Sequence, residues 1–531
     1  MMHRLTWVLA WTVLTLSGAA LAQPADEPAG PPKPEVKAAQ PFVEYPDEDA
    51  ITYHTITVEG KTVHYQARAG AVSLVDDKYK ETAKLFFISY RAMTGPKADD
   101  AEPEFPDPST RAITFSFNGG PGSSSVWLHL GLYGPKRVDY ADDFGHPGPP
   151  PYHVVDNAHS LLDKSDFVFI DPVSTGYSRA QGDANPKDFH GLEEDAKSVA
   201  EFIRLFITRN ERWASPKFIT GESYGTTRAA ALAPLLQDEH GIALNGVILV
   251  SAVLNFQTLR SSIGNDLPHL LYVPAFAATA RFHKKLADQY TIMPMRQFMD
   301  DVERWVISEF TPAMMMGDAL PNDRRHAIAQ QLAAYTGLST SYVENINLRL
   351  DVGPFNKELL RDQRLTVGRL DARFTGIDRN ASGDQYSYDP AYAAIQGIYT
   401  ATMNDYVRRD LGYKSDLPYE ILTSVWPWTY GQAGQARYVN VADRLRIAMT
   451  ENPHLRVFLA CGYYDLATPP FAADYTFNTM QLDPGARSRL ETHYYEAGHM
   501  MYVHRPSLDQ LRKDLAAYYD RALTEAGGGS K

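Results

Sequence analysis

Six short apolar runs recur along the chain, at residues 113–117, 167–170, 218–220, 247–250, 457–460 and 492–495, most of them separated by longer stretches of helical spacing. Runs so short and so continuously apolar predict strands buried on both faces of a mostly parallel sheet. Ahead of them, residues 51–90 alternate polar with apolar, as in Thr55-Ile56-Thr57-Val58-Glu59-Gly60-Lys61-Thr62-Val63-His64-Tyr65, with Glu59-Gly60 or Gly60-Lys61 at a turn. That alternation predicts antiparallel hairpins. Between the second and third runs, Leu192, Val199, Phe202, Ile203, Phe206 and Ile207 fall on one stripe at helical spacing, the pattern of a core-facing helix. Residues 255–438 break this rhythm: helix formers and aromatics abound, methionines cluster at 293–299 and 314–316 and tyrosines at 386–399, and no strand alternates with helix. They predict a helical cap inserted between two sheet strands, its Met and Tyr clusters read first as packing and second as pocket lining. No period of 20–50 residues repeats. The expected fold class is α/β, a central mostly parallel sheet with helices on both faces, whose core lies in two parts at 49–254 and 439–525 around the cap.

The N-terminal segment adds a destination. In a chain of 531 residues, 44% apolar and 22% charged, the first 22 show a basic start at His3-Arg4, an apolar run at 5–16 and the small-residue ending Ala20-Leu21-Ala22. This predicts a signal peptide over 1–22, since the run is shorter than the ~20 residues a spanning helix requires. Residues 23–48 read as a flexible Pro- and Ala-rich leader and 526–531 as a disordered tail. No cysteine near residue 22 could accept a lipid and no later run is long enough to span a bilayer, so no membrane partner is expected after cleavage. The one cysteine, Cys461, allows no intrachain disulfide, which fits a bacterial periplasm or culture medium. The formal charge is -13, and removing 1–22 takes away Arg4 alone. An acidic body without basic runs speaks against nucleic acid as a partner. No metal or cofactor is expected: there is no His-Glu-x-x-His, and Cys461 lacks partners. Oligomeric state is not legible.

The richest candidate chemistry follows the third apolar run, where Gly221-Glu222-Ser223-Tyr224-Gly225 leads into the Ala-rich stretch 226–236. A serine at the tip of a tight strand-to-helix turn needs small residues two before and two after it, because larger side chains collide where the backbone folds back. Gly221 and Gly225 fill both places, which makes Ser223 the candidate nucleophile. A serine hydroxyl attacks a carbonyl efficiently when a histidine takes its proton and a carboxylate orients that histidine, and behind such an elbow the order is serine, acid, histidine. Asp465, after the run 457–460 and before Pro469-Pro470, and His499, after Gly498 and the run 492–495, fit in order and in position. Asp474 and Asp483 compete as acids, His493 and His504 as bases. His493 falls inside the expected strand and Asp474 inside an expected helix, which favours the first pair. An aspartate after a strand is also a common turn former, so the combination carries the reading. The loop Asn118-Gly119-Gly120-Pro121-Gly122-Ser123-Ser124-Ser125 can supply an N–H that, with the N–H of Tyr224, binds an oxyanion, and it lacks the Lys-Ser/Thr ending of a phosphate loop.

Asn118-Gly119-Gly120-Pro121-Gly122-x-Ser124-Ser125, Pro172-Val173-Ser174-Thr175-Gly176-Tyr177-Ser178, Gly221-Glu222-Ser223-Tyr224-Gly225 and Gly498-His499-Met500 together resemble the serine carboxypeptidase family of α/β-hydrolases, over about residues 52–519 and least across the cap. The resemblance implies the α/β-hydrolase fold and an exported peptidase that releases C-terminal residues through an acyl-enzyme, without cofactor, from peptides with a free C terminus. It implies Ser223, Asp465 and His499 as catalytic residues, Gly120 and Tyr224 as the oxyanion hole, and Met500 in the pocket for the leaving residue. It also implies that Asn118, Gly119 and Glu222 bind the substrate's terminal carboxylate. An acid beside a bound carboxylate repels it unless the two share a proton, so peptide binding is expected to weaken as pH rises. Phe117 and Ser123 stand where the family often has Trp and Cys. Leu132 stands where many relatives have a glutamate that joins the carboxylate-binding hydrogen bonds, Tyr463 replaces a common aspartate, and Tyr502 replaces a proline. These departures bear on carboxylate recognition more than on the three catalytic positions. They keep open an esterase or acyltransferase with the same machinery, ahead of a catalytically silent exported binding protein.

Overall fold

The computed structural model describes residues 46, 48–434 and 438–527. The predicted signal peptide, nearly all of the predicted leader and residues 528–531 lie outside them. The alternating segment forms β1 (Ala50–Val58), β2 (Lys61–Val75) and β3 (Glu81–Met93), paired antiparallel. The turn between the first two is Glu59-Gly60, with φ of 48° and 73°, the left-handed pair that matches the twist of a two-residue hairpin. Next come β4 (Ala112–Phe117), a small antiparallel pair β5 (Lys136–Val138) and β6 (Val154–Asp156), β7 (Ser165–Ile170) and the two-residue β8 (Arg179–Ala180). Then follow β9 (Lys217–Glu222), β10 (Gly246–Val250), a second small pair β11 (Leu365–Val367) and β12 (Thr375–Ile377), β13 (Arg456–Gly462) and β14 (Leu490–Tyr495).

The main sheet has the order β1-β2-β3-β7-β4-β9-β10-β13-β14, with β8 also beside β3. All pairs from β7 to β14 are parallel, and the β1 to β3 end is antiparallel. Every residue of β4, β7, β9 and β10 is buried. Successive side chains serve opposite faces: Val247 and Leu249 belong to one apolar cluster, Ile248 and Val250 to the other. Burial on both faces is why these strands read as continuous apolar runs. Helices Leu192–Arg209, Tyr224–His240 and Ala442–Glu451 cover the first cluster, and helix Arg505–Gly527 covers the second. The six stripe residues from Leu192 to Ile207 all sit in the first cluster. This is the α/β-hydrolase architecture. The last helix continues to Gly527, two residues into the expected tail, because Thr524-Glu525-Ala526 holds no helix breaker.

Between β10 and β13 the chain does two different things. Phe276, Phe298, Val302, Phe310, Leu332 and Phe355 anchor a third apolar cluster, which Tyr463, Tyr464 and Leu466 join from the loop after β13, carried on helices such as Val273–Phe282, Met295–Trp305 and Asn322–Thr336. From Pro390 onward the chain turns back to the sheet. Helix Pro390–Arg409 adds Ile395, Ile398, Tyr399, Met403 and Tyr406 to the second sheet cluster, while Val425 and Trp428 join the first. Residues 420–429 then run as a strap along the core: Thr423 N–H donates to Gly122 O at 2.9 Å, Ser124 N–H to Ile421 O at 3.2 Å, and Leu192 N–H to Thr429 O at 2.8 Å. Nothing in the apolar spacing announces β11 and β12, whose three-residue strands are too short to show a period. Among the described residues no helix is long and apolar enough to cross a membrane.

Candidate active site

Glu222 ends β9 and Tyr224 begins the next helix, so Ser223 alone makes the turn. Its backbone sits at φ 59° and ψ -128°, a conformation that strains a non-glycine residue by about 1–3 kcal/mol and persists only where the surroundings impose it. Those surroundings are the Ser223 N–H to Val250 O bond at 3.0 Å and the Thr226 N–H to Ser223 O bond at 2.9 Å. Sterics dictate the flanking glycines. A Cβ on Gly221 would stand 2.1 Å from the Gly225 carbonyl oxygen, and one on Gly225 would stand 2.8 Å from that of Phe117.

Asp465 and His499 lie on the loops that follow the neighbouring parallel strands β13 and β14. His499 Nδ1 donates to Asp465 Oδ2 at 2.7 Å. Asp465, fully buried, also accepts the N–H groups of Ala467 at 2.7 Å and Thr468 at 3.0 Å on Oδ1, and the Thr468 hydroxyl at 2.8 Å on Oδ2. The backbone of His499 is held at both ends: its N–H donates to Leu370 O and its carbonyl accepts the Ser251 hydroxyl, each at 2.6 Å. Burial disfavours the imidazolium, but the Asp465 carboxylate and its hydrogen bond more than offset this and raise the ring above its ordinary value. The competing residues are engaged elsewhere. Asp474 accepts the Tyr494 hydroxyl, Asp483 caps the helix Pro484–Arg487, His493 lies between Glu491 and Asp514, and His504 pairs with Ser507.

The Gly-rich loop follows β4 and packs on the elbow, where a Cβ on Gly119 would stand 2.4 Å from the Tyr224 nitrogen. Gly120 and Gly122 adopt φ of 102° and 103°, open only to glycine without strain. Arg228, on the elbow helix, fixes the loop from within: its guanidinium donates to Asn118 O at 2.5 Å and to the buried Asp195 carboxylate at 2.6 Å. From the other side the strap holds Gly122 and Ser124, and Trp428 Nε1 donates to the Tyr224 hydroxyl at 3.0 Å.

Glu222 accepts the Asn118 side-chain amide on Oε1 at 3.0 Å and the Tyr502 hydroxyl on Oε2 at 2.6 Å. Leu128 N–H donates to Asn118 Oδ1 at 3.1 Å, which fixes the orientation of that amide. Burial pushes the Glu222 carboxyl up to about 7, against the pull of His499 and of its two donors. Tyr502, read from sequence as the replacement of a proline that bears on carboxylate recognition, supplies a hydroxyl to this acid. Gly131 makes room for it, since a Cβ there would stand 2.3 Å from the Tyr502 ring. Leu132 is fully buried among the apolar residues of the second sheet cluster. Phe117 is core, Ser123 accepts Trp127 Nε1 at 2.8 Å, and Tyr463 stacks on Tyr494 with ring planes 8° apart.

A cavity of about 440 Å³ brings together Asn118, Gly119, Gly120, Glu222, Ser223, His499 and Met500. Asp465 stands behind His499 and the Tyr224 side chain is buried, so neither lines it. The facing wall comes from the inserted segment, with Arg369, Leu370, Tyr386, Tyr392, Ile395 and Leu422. Tyr386 and Tyr392 come from the tyrosine cluster for which pocket lining is the second reading. Sequence reasoning missed Arg369, Leu370, Ile395 and Leu422, and Thr468 and Arg228 too, because each meets the site from a loop or helix with no motif of its own. Among the described residues no group of three His, Cys, Asp or Glu could hold a metal ion.

Sheet order and elbow define the α/β-hydrolase class. Within it, the chain belongs to the serine carboxypeptidase family, whose family model, described as Serine carboxypeptidase, matches residues 61–505. The chain is similar to Serine carboxypeptidase-like 45 of Arabidopsis thaliana, 26% identical over 231 residues, which are 39% of this chain and 44% of that protein. It is also similar to Carboxypeptidase Y homolog A of Paracoccidioides brasiliensis (strain Pb03), 27% identical over 192 residues, 33% of this chain and 30% of that protein. The chain thus spans less than half the length of these curated relatives. Among solved structures it is similar to a proline iminopeptidase of Mycobacterium smegmatis, at 12% identity and a TM-score of 0.35, covering 86% of this chain and 99% of that one.

Proposed function

We propose that this chain is an exported serine-type carboxypeptidase that releases C-terminal amino acids from peptides through an acyl-enzyme. The observation that carries this reading is the single cavity into which Ser223, His499 and Glu222 all open. Ser223 attacks the scissile carbonyl while His499 takes its proton and then hands it to the leaving amine. With Nδ1 engaged by Asp465, Nε2 is the nitrogen left for the serine. The N–H groups of Gly120 and Tyr224 receive the developing oxyanion, and water, activated by the same histidine, frees the acyl group.

Glu222, Asn118 and Gly119 meet the substrate's terminal carboxylate. A glutamic acid poised at about 7 donates its proton to that carboxylate at mildly acidic pH and repels it once ionised. Met500, with Leu370 and Ile395, offers the leaving residue an apolar wall. Leu132 favours a second reading, an ester or acyl acceptor without a free carboxylate, because no acid stands at that position. The hydroxyl that Tyr502 gives Glu222 supports the first.

Incubation with a peptide mixture at several pH values, scored by mass spectrometry, separates the two. Successive loss of C-terminal residues is expected, with KM for peptides climbing above about pH 7 and KM for an ester lacking the carboxylate staying flat. Intact peptides beside cleaved aryl esters would move the assignment to the second reading. Absence of fluorophosphonate labelling at Ser223 would remove both.

A further inference from the structure

We propose that Arg369 is a specificity-determining residue that recognises a second carboxylate on the substrate, the side chain of an aspartate or glutamate next to the scissile bond. This deepens the carboxypeptidase reading and rests on it.

Arg369 belongs to the inserted segment and lines the same cavity as Ser223 and His499, the one arginine or lysine in that wall among the described residues. Its backbone is anchored to the loops that carry the proposed catalytic pair. The Arg369 carbonyl accepts Leu466 N–H at 3.0 Å, next to Asp465, and the carbonyl of Leu370 accepts His499 N–H at 2.6 Å. Its side chain, by contrast, is exposed, and among the described residues the guanidinium makes no hydrogen bond or ion pair.

The two acids in the wall do not neutralise it. Asp389 accepts the N–H groups of Arg369, Leu370 and Ala391 and caps the helix Pro390–Arg409. Glu222 is held by Asn118 and Tyr502. A planar fork of five donors on a fixed backbone, beside the nucleophile and without a protein partner, is built to take a carboxylate. The substrate's terminal carboxylate already has Asn118, Gly119 and Glu222, which leaves an acidic side chain as the ligand. In a chain of formal charge -13 such a local cation also draws in an acidic peptide that the body of the protein would repel.

The test compares peptides identical except for Glu, Gln or Lys at the residue on either side of the scissile bond, with the wild type, Arg369→Gln and Arg369→Lys. Wild type is expected to favour Glu over Gln by about tenfold in kcat/KM at one of the two positions, the scale of a partly closed charge-assisted pair. That ratio should collapse towards one in Arg369→Gln, persist in part in Arg369→Lys, and narrow at high salt. A wild type indifferent to Glu and Gln overturns the proposal. So does an equal loss on Glu and Gln peptides in Arg369→Gln, which would assign the arginine to the terminal carboxylate or to His499. Should no peptide be cleaved while Ser223 still takes a fluorophosphonate, the carboxypeptidase reading fails on its own. The same ratio on N-acyl-Glu and N-acyl-Gln aryl esters then decides the role of Arg369.

Discussion

Two buried acids flank His499, and the regions that hold them are wired differently. Asp465 sits in a loop that offers it only donors: two peptide N–H groups, a hydroxyl and an imidazole. Glu222 sits between an amide whose orientation is fixed and a phenol whose hydroxyl can turn to accept as readily as donate. The first environment suits an orienting carboxylate. The second tolerates a proton, and burial brings that proton within reach of neutral pH, up to about 7. One fold thus gives two carboxyl groups different surroundings through the donors placed around them.

The comparison breaks most visibly at Asp465→Asn. An amide there cannot accept from four donors at once, and kcat on both peptides and esters should fall about 10⁴-fold with little change in KM. Steady-state kinetics checks this, and a fall of less than tenfold would reopen the role for Asp474. Glu222→Gln imitates the protonated acid. Wild-type KM for peptides should climb about tenfold per pH unit above 7 while that of the variant stays level, since each unit removes tenfold of the protonated form.

The same substitution carries a stability signature. The folded-state value lies above the ordinary 4.5, so the folded protein binds an extra proton between the two. The stabilisation this gives is complete below the ordinary value and is lost as pH rises through about 7. Scanning calorimetry should therefore show Glu222→Gln gaining about 1–3 °C in Tm over wild type at pH 8 and almost nothing at pH 4. A gain of equal size at both pH values would mean that the carboxyl is not what titrates.

Thr468→Val removes one donor from Asp465 and leaves the two N–H groups, so kcat should drop about tenfold with the pH profile of peptide KM unchanged. Tyr502→Phe is the smallest and the most selective. Peptide KM at pH 6 should rise about fivefold while ester KM is unaffected. Because the lost hydroxyl was pulling the Glu222 value down, the pH at which peptide binding weakens should move upward. A matching change in ester KM would show that Tyr502 shapes the cavity rather than the acid.

The sequence made the sheet legible because burial on both faces writes unbroken apolar runs, and it made the elbow legible because the turn leaves no room for a Cβ at Gly221 or Gly225. Asp465 and His499 could be placed at strand ends on the same grounds. Tyr502 could be flagged as a departure that bears on carboxylate recognition, but its partner could not be named, because its hydroxyl meets an acid 280 residues earlier in the chain. Arg369 and the strap were hidden for a related reason. They come from an insertion whose helices pack partly on themselves and partly on the sheet, so no single periodicity runs through it.

The strap also limits how this protein can be rebuilt. Gly122 and Ser124 are hydrogen-bonded to Ile421 and Thr423, and a Cβ on Gly122 would stand 2.3 Å from the Thr423 carbonyl oxygen. A chimera that exchanged residues 255–438 as one module would unhook the Gly-rich loop along with the helices it meant to replace. Splice points before Pro390 would leave the loop's outer brace native, yet residues 369–372 would still have to be kept, because they hold the loops of Asp465 and His499. Recombination between relatives should therefore be tolerated best where residues 369–372 and 420–429 both stay native.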